Sequence, residues 1–162
     1  MSIRKATETD IEYISEIYLQ CFPSERNHRL WISSSFRSFP RAVYYVVEQE
    51  GIVVGYILWS VKNGFRDSTI AELEQIAVVP KQGGNGLGRW LINESFSLFK
   101  RHVEKTGHKV GSVLVTTTDG NFAENLYKST LKVSRAAILK GYGSGNEIVL
   151  YNNSVEANDY AS

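Results

Sequence analysis

The stretch Ile70-Ala71-Glu72-Leu73-Glu74-Gln75-Ile76-Ala77-Val78-Val79-Pro80-Lys81-Gln82-Gly83-Gly84-Asn85-Gly86-Leu87-Gly88-Arg89-Trp90-Leu91-Ile92 reads as a strand, a glycine-rich turn and the opening of a helix. Pro80 has no N–H for a sheet ladder, so the strand stops there. Four glycines within six positions, Gly83, Gly84, Gly86 and Gly88, free the backbone to bend and to approach a ligand closely. The helix that follows offers unpaired N–H groups and the positive end of its dipole, a combination suited to a phosphate or pyrophosphate. Two common nucleotide loops do not fit. A Walker loop needs Gly-Lys-Ser/Thr, and the dinucleotide fingerprint needs G-x-G-x-x-G, whereas Gly84, Gly86 and Gly88 run as G-x-G-x-G. A flexible strand–helix connection is the plain alternative.

Working outward, the chain of 162 residues suits one compact domain, read here as residues 1–152 with a polar, frayed tail at 153–162. Hydrophobic residues make up 43%, enough for a core, and a formal net charge of +1 gives no support to a nucleic-acid partner. Cys21 is the single cysteine, which excludes an internal disulfide, and His28, His102 and His108 are scattered, so no metal site is indicated. The N-terminus lacks an apolar signal core, and no apolar run approaches the roughly 20 residues that span a bilayer. A cytoplasmic protein with no membrane partner is the default expectation.

Residues 3–6 suggest a first strand. Thr7 or Thr9 is placed to cap a helix with Ile11, Ile14, Ile17, Tyr18 and Cys21 on one face, ended by Pro23. A second helix is predicted from about Asn27 to Ser38. Strands at 43–49 and 52–61 flank Glu50-Gly51, a hairpin signal. After the strand at 70–79 and the helix that Gly107 ends come a strand at 110–116 and a short helix at 121–129. A final hairpin at 133–140 and 147–152 surrounds a glycine-rich loop. The order β-α-α-β-β-β-α-β-α-β-β predicts a mixed α/β (α+β) fold, a mostly antiparallel central sheet flanked by helices, with the helix after residue 88 crossing to a parallel neighbour.

Over residues 3–152 this order resembles the GNAT superfamily of acetyl-CoA-dependent N-acetyltransferases. In that family the fourth strand ends near V-x-P and leads into R/Q-x-x-G-x-G/A and a helix. The match here is Val78-Val79-Pro80, then Gly83-Gly84-Asn85-Gly86-Leu87-Gly88. Gly83 stands where the family usually has Arg or Gln, with Gln82 one place early. Asn121-Phe122-Ala123-Glu124-Asn125-Leu126-Tyr127 is similar to the second signature, a helix bearing a tyrosine near the cofactor sulfur. Asn121 falls one residue late, and Leu131-Lys132 replaces the Gly-Phe that often follows. The resemblance implies acetyl-CoA as cosubstrate and no metal. It assigns the pyrophosphate to Gln82, Gly83, Gly84, Asn85, Gly86, Leu87, Gly88 and Arg89, and adds Asn121 to the cofactor side. Backbone groups of Ile76, Ala77 and Val78 are implied to hold the pantetheine arm and the thioester oxygen.

Acetyl transfer to an amine needs a base, because a lysine-like amine has a pKa of about 10.4. It needs donors for the thioester oxygen and is helped by a proton for the departing thiolate. Glu72 and Glu74 lie two apart on a strand and so share a face. Counted back from the glycine turn, Glu72 matches the general base of some family members, and Glu74 or a relayed water is the alternative. Both glutamates equally suit a solvated strand face or pairing with a basic neighbour. Tyr127 is the candidate donor to the thiolate, against the plainer reading of a packing tyrosine. Cys21, on an apolar face without a histidine, reads as structural. His28 and Trp31 lie in a region that lines the acceptor site in similar proteins, or else on a solvated helix end. The acceptor is expected to be a small-molecule amine or a protein N-terminus or lysine. Many relatives are homodimers, although no strand announces an exposed pairing edge. A CoA-binding sensor without catalysis and a phosphate-ligand module unrelated to CoA remain the competing classes.

Overall fold

The structure is a computed structural model that describes residues 1–155. Its elements are β1 (Ser2–Lys5), α1 (Asp10–Cys21), α2 (His28–Phe36), β2 (Ala42–Gln49), β3 (Ile52–Lys62), β4 (Ser68–Val78), a single 3-10 turn (Pro80–Gln82), α3 (Leu87–Lys105), β5 (Lys109–Thr118), α4 (Ala123–Leu131), β6 (Ser134–Tyr142) and β7 (Gly145–Asn152). The strands are hydrogen-bonded in the order β1-β2-β3-β4-β5-β7-β6. β4 and β5 run parallel, while β1–β2, β2–β3, β5–β7 and β6–β7 are antiparallel. The mixed, mostly antiparallel sheet with flanking helices is the one the element order predicts. The chain forms two compact units, Met1–Ser60 with Gln75–Phe99 and Val61–Glu74 with the residues from Lys100 onward.

In the first unit, β2 and β3 are apolar on both faces, as strands with helices on either side must be. Tyr44, Val46, Tyr56 and Leu58 meet Ile11, Ile14, Ile17 and Ile32 of α1 and α2 in one buried cluster. The register pairs Tyr44 with Leu58 and Val46 with Tyr56, which keeps these four on one face. Trp59 points the other way. Its ring stacks on Phe96 and Phe99 at 5.0 and 5.9 Å, and its indole N–H donates to Ser95 Oγ at 2.8 Å. That buried donor–acceptor pair fixes the rotation of α3, whose Leu87, Leu91, Ile92, Ser95 and Phe99 recur at helical spacing on the buried side. Each fully buried aliphatic side chain contributes about 1.5–3 kcal/mol.

Neither Thr7 nor Thr9 caps α1 through its side chain. The carboxylate of Asp10 instead ties down the turn ahead of α1, accepting the Thr7 N–H at 2.7 Å and the Thr7 hydroxyl at 3.0 Å. Arg4 of β1 closes on it with two bonds of 2.6 and 2.9 Å and also holds Glu48. A carboxylate wins over a hydroxyl here because it satisfies the backbone donor and the guanidinium together.

In the second unit, β5 lies between parallel β4 and antiparallel β7, with Val113 and Val115 of β5 and Ile148 and Leu150 of β7 all buried. Arg135 of β6 binds Glu124 of α4 through bonds of 2.6 and 2.8 Å and Asp119 at 3.1 Å. β6 is the last strand of the sheet order and every residue in it is exposed. No strand announces such an edge in the sequence, because the exposure of β6 cannot be judged from its apolar Ala136-Ala137-Ile138-Leu139 run. The tail predicted from residue 153 lies outside the described residues from 156 onward, and before that Val155 is buried.

Burial opposes ionisation of Asp10, but the bonds from Arg4 and Thr7 outweigh it and hold its carboxyl below the usual range. A depressed native pKa gives stability that is present above the unfolded value of about 3.9 and lost as pH falls through the native value. Asp10→Asn is expected to cost on the order of 2–3 kcal/mol at neutral pH, less than a fully buried pair because the Arg4 side chain is 38% exposed. Urea titration at pH 7 and again below pH 3 checks this, since the difference between variant and parent should shrink in acid.

Candidate functional site

β4 ends at Val78, and Pro80 opens the 3-10 turn as its first residue, where a missing N–H costs nothing. Two anchors hold the strand end within the first unit. The Val79 N–H donates to the Val54 carbonyl at 2.9 Å, and the Cys21 thiol donates to the Val78 carbonyl at 3.4 Å. Of the stretch assigned to the pantetheine arm, Ala77 is buried, Ile76 and Val78 are half-buried, and the Val78 carbonyl is thus already engaged. Cys21 is half-buried with its thiol pushed up by burial, which fits the structural reading.

The bend itself depends on Gly84 and Gly86, whose φ values of 80° and 75° lie in the left-handed region. The first carbonyl used by α3 is that of Gly86, bonded to the Trp90 N–H at 3.0 Å. Gln82 and Gly83 donate within the turn, to Val79 and Pro80. From there on, the N–H groups of Gly84, Asn85, Gly86, Leu87, Gly88 and Arg89 meet no acceptor among the described residues. Gly83 to Gly86 are exposed, as is Arg89, which forms no ion pair among the described residues. The side-chain amide of Gln82, displaced by one place, is likewise without a partner there. Six consecutive donors at a helix N-terminus with an arginine in the first turn make an anion cradle.

The acid–base candidates belong to the second unit. Glu72 and Glu74 lie on the same side of β4, where Ala71 and Leu73 take the buried side. The Glu72 carboxylate is paired with Lys62 of β3 at 2.9 Å, so the basic neighbour considered from the sequence exists. Lys62 carries no signal in the sequence, because only the pairing of β3 and β4 brings it near. Tyr127 sits on the buried stripe of α4 with Glu124 and Leu131, and burial pushes its phenol up to about 12. Its hydroxyl meets no partner among the described residues. The side-chain oxygen of Asn121 is occupied locally, accepting the Ala123 N–H at 2.9 Å and so capping α4. That arrangement follows from its one-residue displacement. No group of three His, Cys, Asp or Glu suited to a metal occurs among the described residues, and no helix there is long and apolar enough to cross a membrane.

A further set of polar groups in the first unit had only a faint signal, tyrosines at inward positions of β2 and β3. Tyr44 donates to Gln75 Oε1 at 3.1 Å, and its ring meets Tyr56 edge-on at 5.9 Å. The Tyr56 hydroxyl and His28 Nδ1 are buried without a hydrogen-bond partner among the described residues.

The family model described as "Acetyltransferase (GNAT) family" matches residues 11–131. Among solved structures, the ribosomal protein S18 alanine N-acetyltransferase of Escherichia coli is similar at 22% identity, with 93% of this chain and 91% of that chain covered and a TM-score of 0.70. A point variant of the spermidine N-acetyltransferase SpeG from Vibrio cholerae gives 14% identity, 100% coverage of both chains and a TM-score of 0.75. YncA from Salmonella typhimurium, solved with its cofactor acetyl-CoA, gives 22% identity, 94% and 93% coverage and a TM-score of 0.68. At these identities the likeness shows the fold. No curated protein matches the chain.

The bend is open to a backbone test. A methyl group at Gly84 or Gly86 meets no atom within 4 Å, so alanine there costs only the left-handed conformation, about 1–2 kcal/mol. Gly83, with φ −62°, has an ordinary backbone, but its added methyl would stand 3.2 Å from the Pro80 carbonyl oxygen, so Gly83→Ala is expected to lose stability through that contact rather than through φ, and less than the other two. Urea midpoints of the three alanine variants check the order.

Proposed function

The chain belongs to the GNAT acetyltransferase family, and on that premise we propose that it is an N-acetyltransferase moving the acetyl group of acetyl-CoA directly onto a primary amine, with both substrates bound together. Residues 1–152 act as one acetyltransferase domain. The observation that carries this reading is the run of six unpaired N–H groups from Gly84 to Arg89. A pyrophosphate presents the lone pairs that such a run lacks, and Arg89 and the dipole of α3 add positive charge. Backbone groups of Ile76 and Ala77 take the pantetheine arm, with the Val78 carbonyl left to Cys21.

The amine nitrogen attacks the thioester carbonyl, a C–N bond forms, and the C–S bond breaks. The amine's proton passes to Glu72, Glu74 or a water that either carboxylate orients. Glu72 is paired with Lys62 and Glu74 is engaged as well, so pairing does not choose between them or a relayed water as the base. Tyr127 acts on the leaving thiolate. With its phenol at about 12 and a thiol near 8.5, full proton transfer runs uphill. Its part is to donate a hydrogen bond that steadies the negative sulfur, while solvent completes the protonation.

A small amine or a protein N-terminus or lysine serves as acceptor. The spread among the similar proteins, one named for spermidine and another for a ribosomal-protein alanine, supports an amine without choosing between these classes. The Lys62–Glu72 pair favours one rival, a CoA-binding domain without catalysis, because it gives Glu72 a structural partner.

Calorimetric titration with CoA, followed by thiol release from acetyl-CoA with spermidine, an aminoglycoside and an alanine-initiated peptide, separates the two. CoA binding with thiol release supports the enzyme; binding without release supports the rival. Tyr127→Phe is expected to lower kcat about 10²-fold with little change in CoA affinity, the order of one lost transition-state donor. If Tyr127→Phe and Glu72→Gln both left turnover intact, the assigned roles would be wrong.

A further inference from the structure

The Tyr127 side chain is buried, and its hydroxyl meets no hydrogen-bond partner among the described residues. Nothing at the phenol's own tip therefore sets its direction; the placement of α4 does. That helix is nine residues long, shorter than the roughly 12–15 residues that hold together in isolation, so its placement comes from what it is tied to. Glu124, Tyr127 and Leu131 share its buried stripe, with Tyr127 between the other two.

Both ends of that stripe are tied to the last two strands. In the first turn, Glu124 takes a two-pronged contact from Arg135 of β6, Nε to Oε1 at 2.6 Å and Nη2 to Oε2 at 2.8 Å. Arg135 Nη2 also reaches Asp119 at 3.1 Å, and Lys128 closes on Glu124 at 2.7 Å from one turn further along α4. In the last turn, the side-chain amide of Asn152, at the end of β7, donates to the Leu131 carbonyl at 3.0 Å. Leu131 is followed by Lys132 in the left-handed region, so its carbonyl is one of those a helix end leaves unmatched. Asn152 is buried, and its oxygen is held in turn by the N–H and hydroxyl of Ser154.

Stability alone does not call for a carboxylate at position 124. An apolar side chain on the buried stripe would hold α4 by packing, and replacing a charged pair by apolar residues is often neutral or stabilising. Packing, however, is non-directional. A forked guanidinium–carboxylate pair fixes angle and register, and it does so here with an arginine side chain that is 43% exposed, where the pair adds little to stability. The bonds from Arg135 and Lys128 hold the Glu124 carboxyl down at about 2, so the clamp stays ionised across the neutral range.

We propose that Arg135 and Asn152 are positioning residues for acetyl transfer: by tying the first and last turns of α4 to β6 and β7, they aim the Tyr127 hydroxyl at the departing sulfur. Neither acts on the reacting atoms itself. The proposal rests on the part given to Tyr127 in the acetyl-transfer reading and goes beyond it by assigning the groups that direct the phenol.

The test is a double-mutant cycle of Arg135→Gln and Tyr127→Phe, read as thiol release from acetyl-CoA with whichever amine of the spermidine, aminoglycoside and alanine-peptide panel turns over. Arg135→Gln is expected to lower kcat about tenfold in the wild-type background with CoA affinity unchanged, and to lower it no further once Tyr127→Phe has removed the hydroxyl. Arg135→Lys keeps the charge without the fork and should recover part of the loss. Amide hydrogen exchange gives a readout free of turnover: in Arg135→Gln and in Asn152→Asp, which lacks the amide donor, protection should fall in α4 while β5 stays protected. Equal losses of kcat with and without the Tyr127 hydroxyl would reveal a general weakening of the fold and overturn the proposal, as would an unchanged kcat or unchanged exchange in α4. A wild-type protein that binds CoA and releases no thiol with any of the three amines would overturn the acetyl-transfer reading, and the aiming role with it.

Discussion

Everything at the candidate cofactor site depends on a backbone that must leave β4 and enter α3 without pairing its own N–H groups. A peptide donor without a partner is tolerable only where water or a ligand reaches it. The bend satisfies that condition by exposure, and what surrounds it is rigid by contrast. On the strand side, the Val79–Val54 bond and the Cys21 thiol on the Val78 carbonyl fix the exit. On the helix side, the Trp59–Ser95 bond and the Trp59, Phe96 and Phe99 stack fix the entry. With both ends immobilised, the two left-handed glycines determine where the donors point, and the donors are oriented before any anion arrives. An oriented cradle avoids the ordering cost that a floppy loop would impose on binding.

This arrangement explains how the departure at Gly83 is accommodated. A side chain at that position adds a contact, but the N–H run begins one residue later, at Gly84. Arg89 stands in the first turn of α3, so positive charge is supplied from inside the helix rather than from the start of the loop. In the proposed pyrophosphate site, backbone geometry plus one cation would set the affinity, with a flanking side chain secondary.

Much of this was legible in the sequence because it is local. The order of strands and helices follows from period, from the Glu50-Gly51 turn and from the glycine run, each decided within a few residues. The parallel β4–β5 pair follows from the crossover through α3. What escaped is long-range and polar. Neither threonine caps α1; Thr7 instead gives its N–H to Asp10, on which Arg4 of another element converges. The Lys62–Glu72 pair joins two strands across a loop, and spacing alone does not say which lysine a strand glutamate will meet. Tyr44 and Tyr56 fall within the strands read at 43–49 and 52–61, and nothing in a one-dimensional pattern tells whether a buried hydroxyl finds a partner. Tyr44 finds Gln75, and Tyr56 finds none.

That contrast between two neighbouring tyrosines also bears on what the first unit is built to do. If the cluster served packing alone, phenylalanine at position 56 would supply the same ring without the desolvation cost of an unmatched hydroxyl. Tyr44 shows that the surroundings can satisfy a phenol when its position is structural. The unmatched Tyr56 hydroxyl is a local cost in stability. It differs in kind from the unpaired N–H groups of the bend: those are exposed, so water satisfies them until a ligand displaces it, whereas the 0% exposed Tyr56 hydroxyl is shut away from solvent.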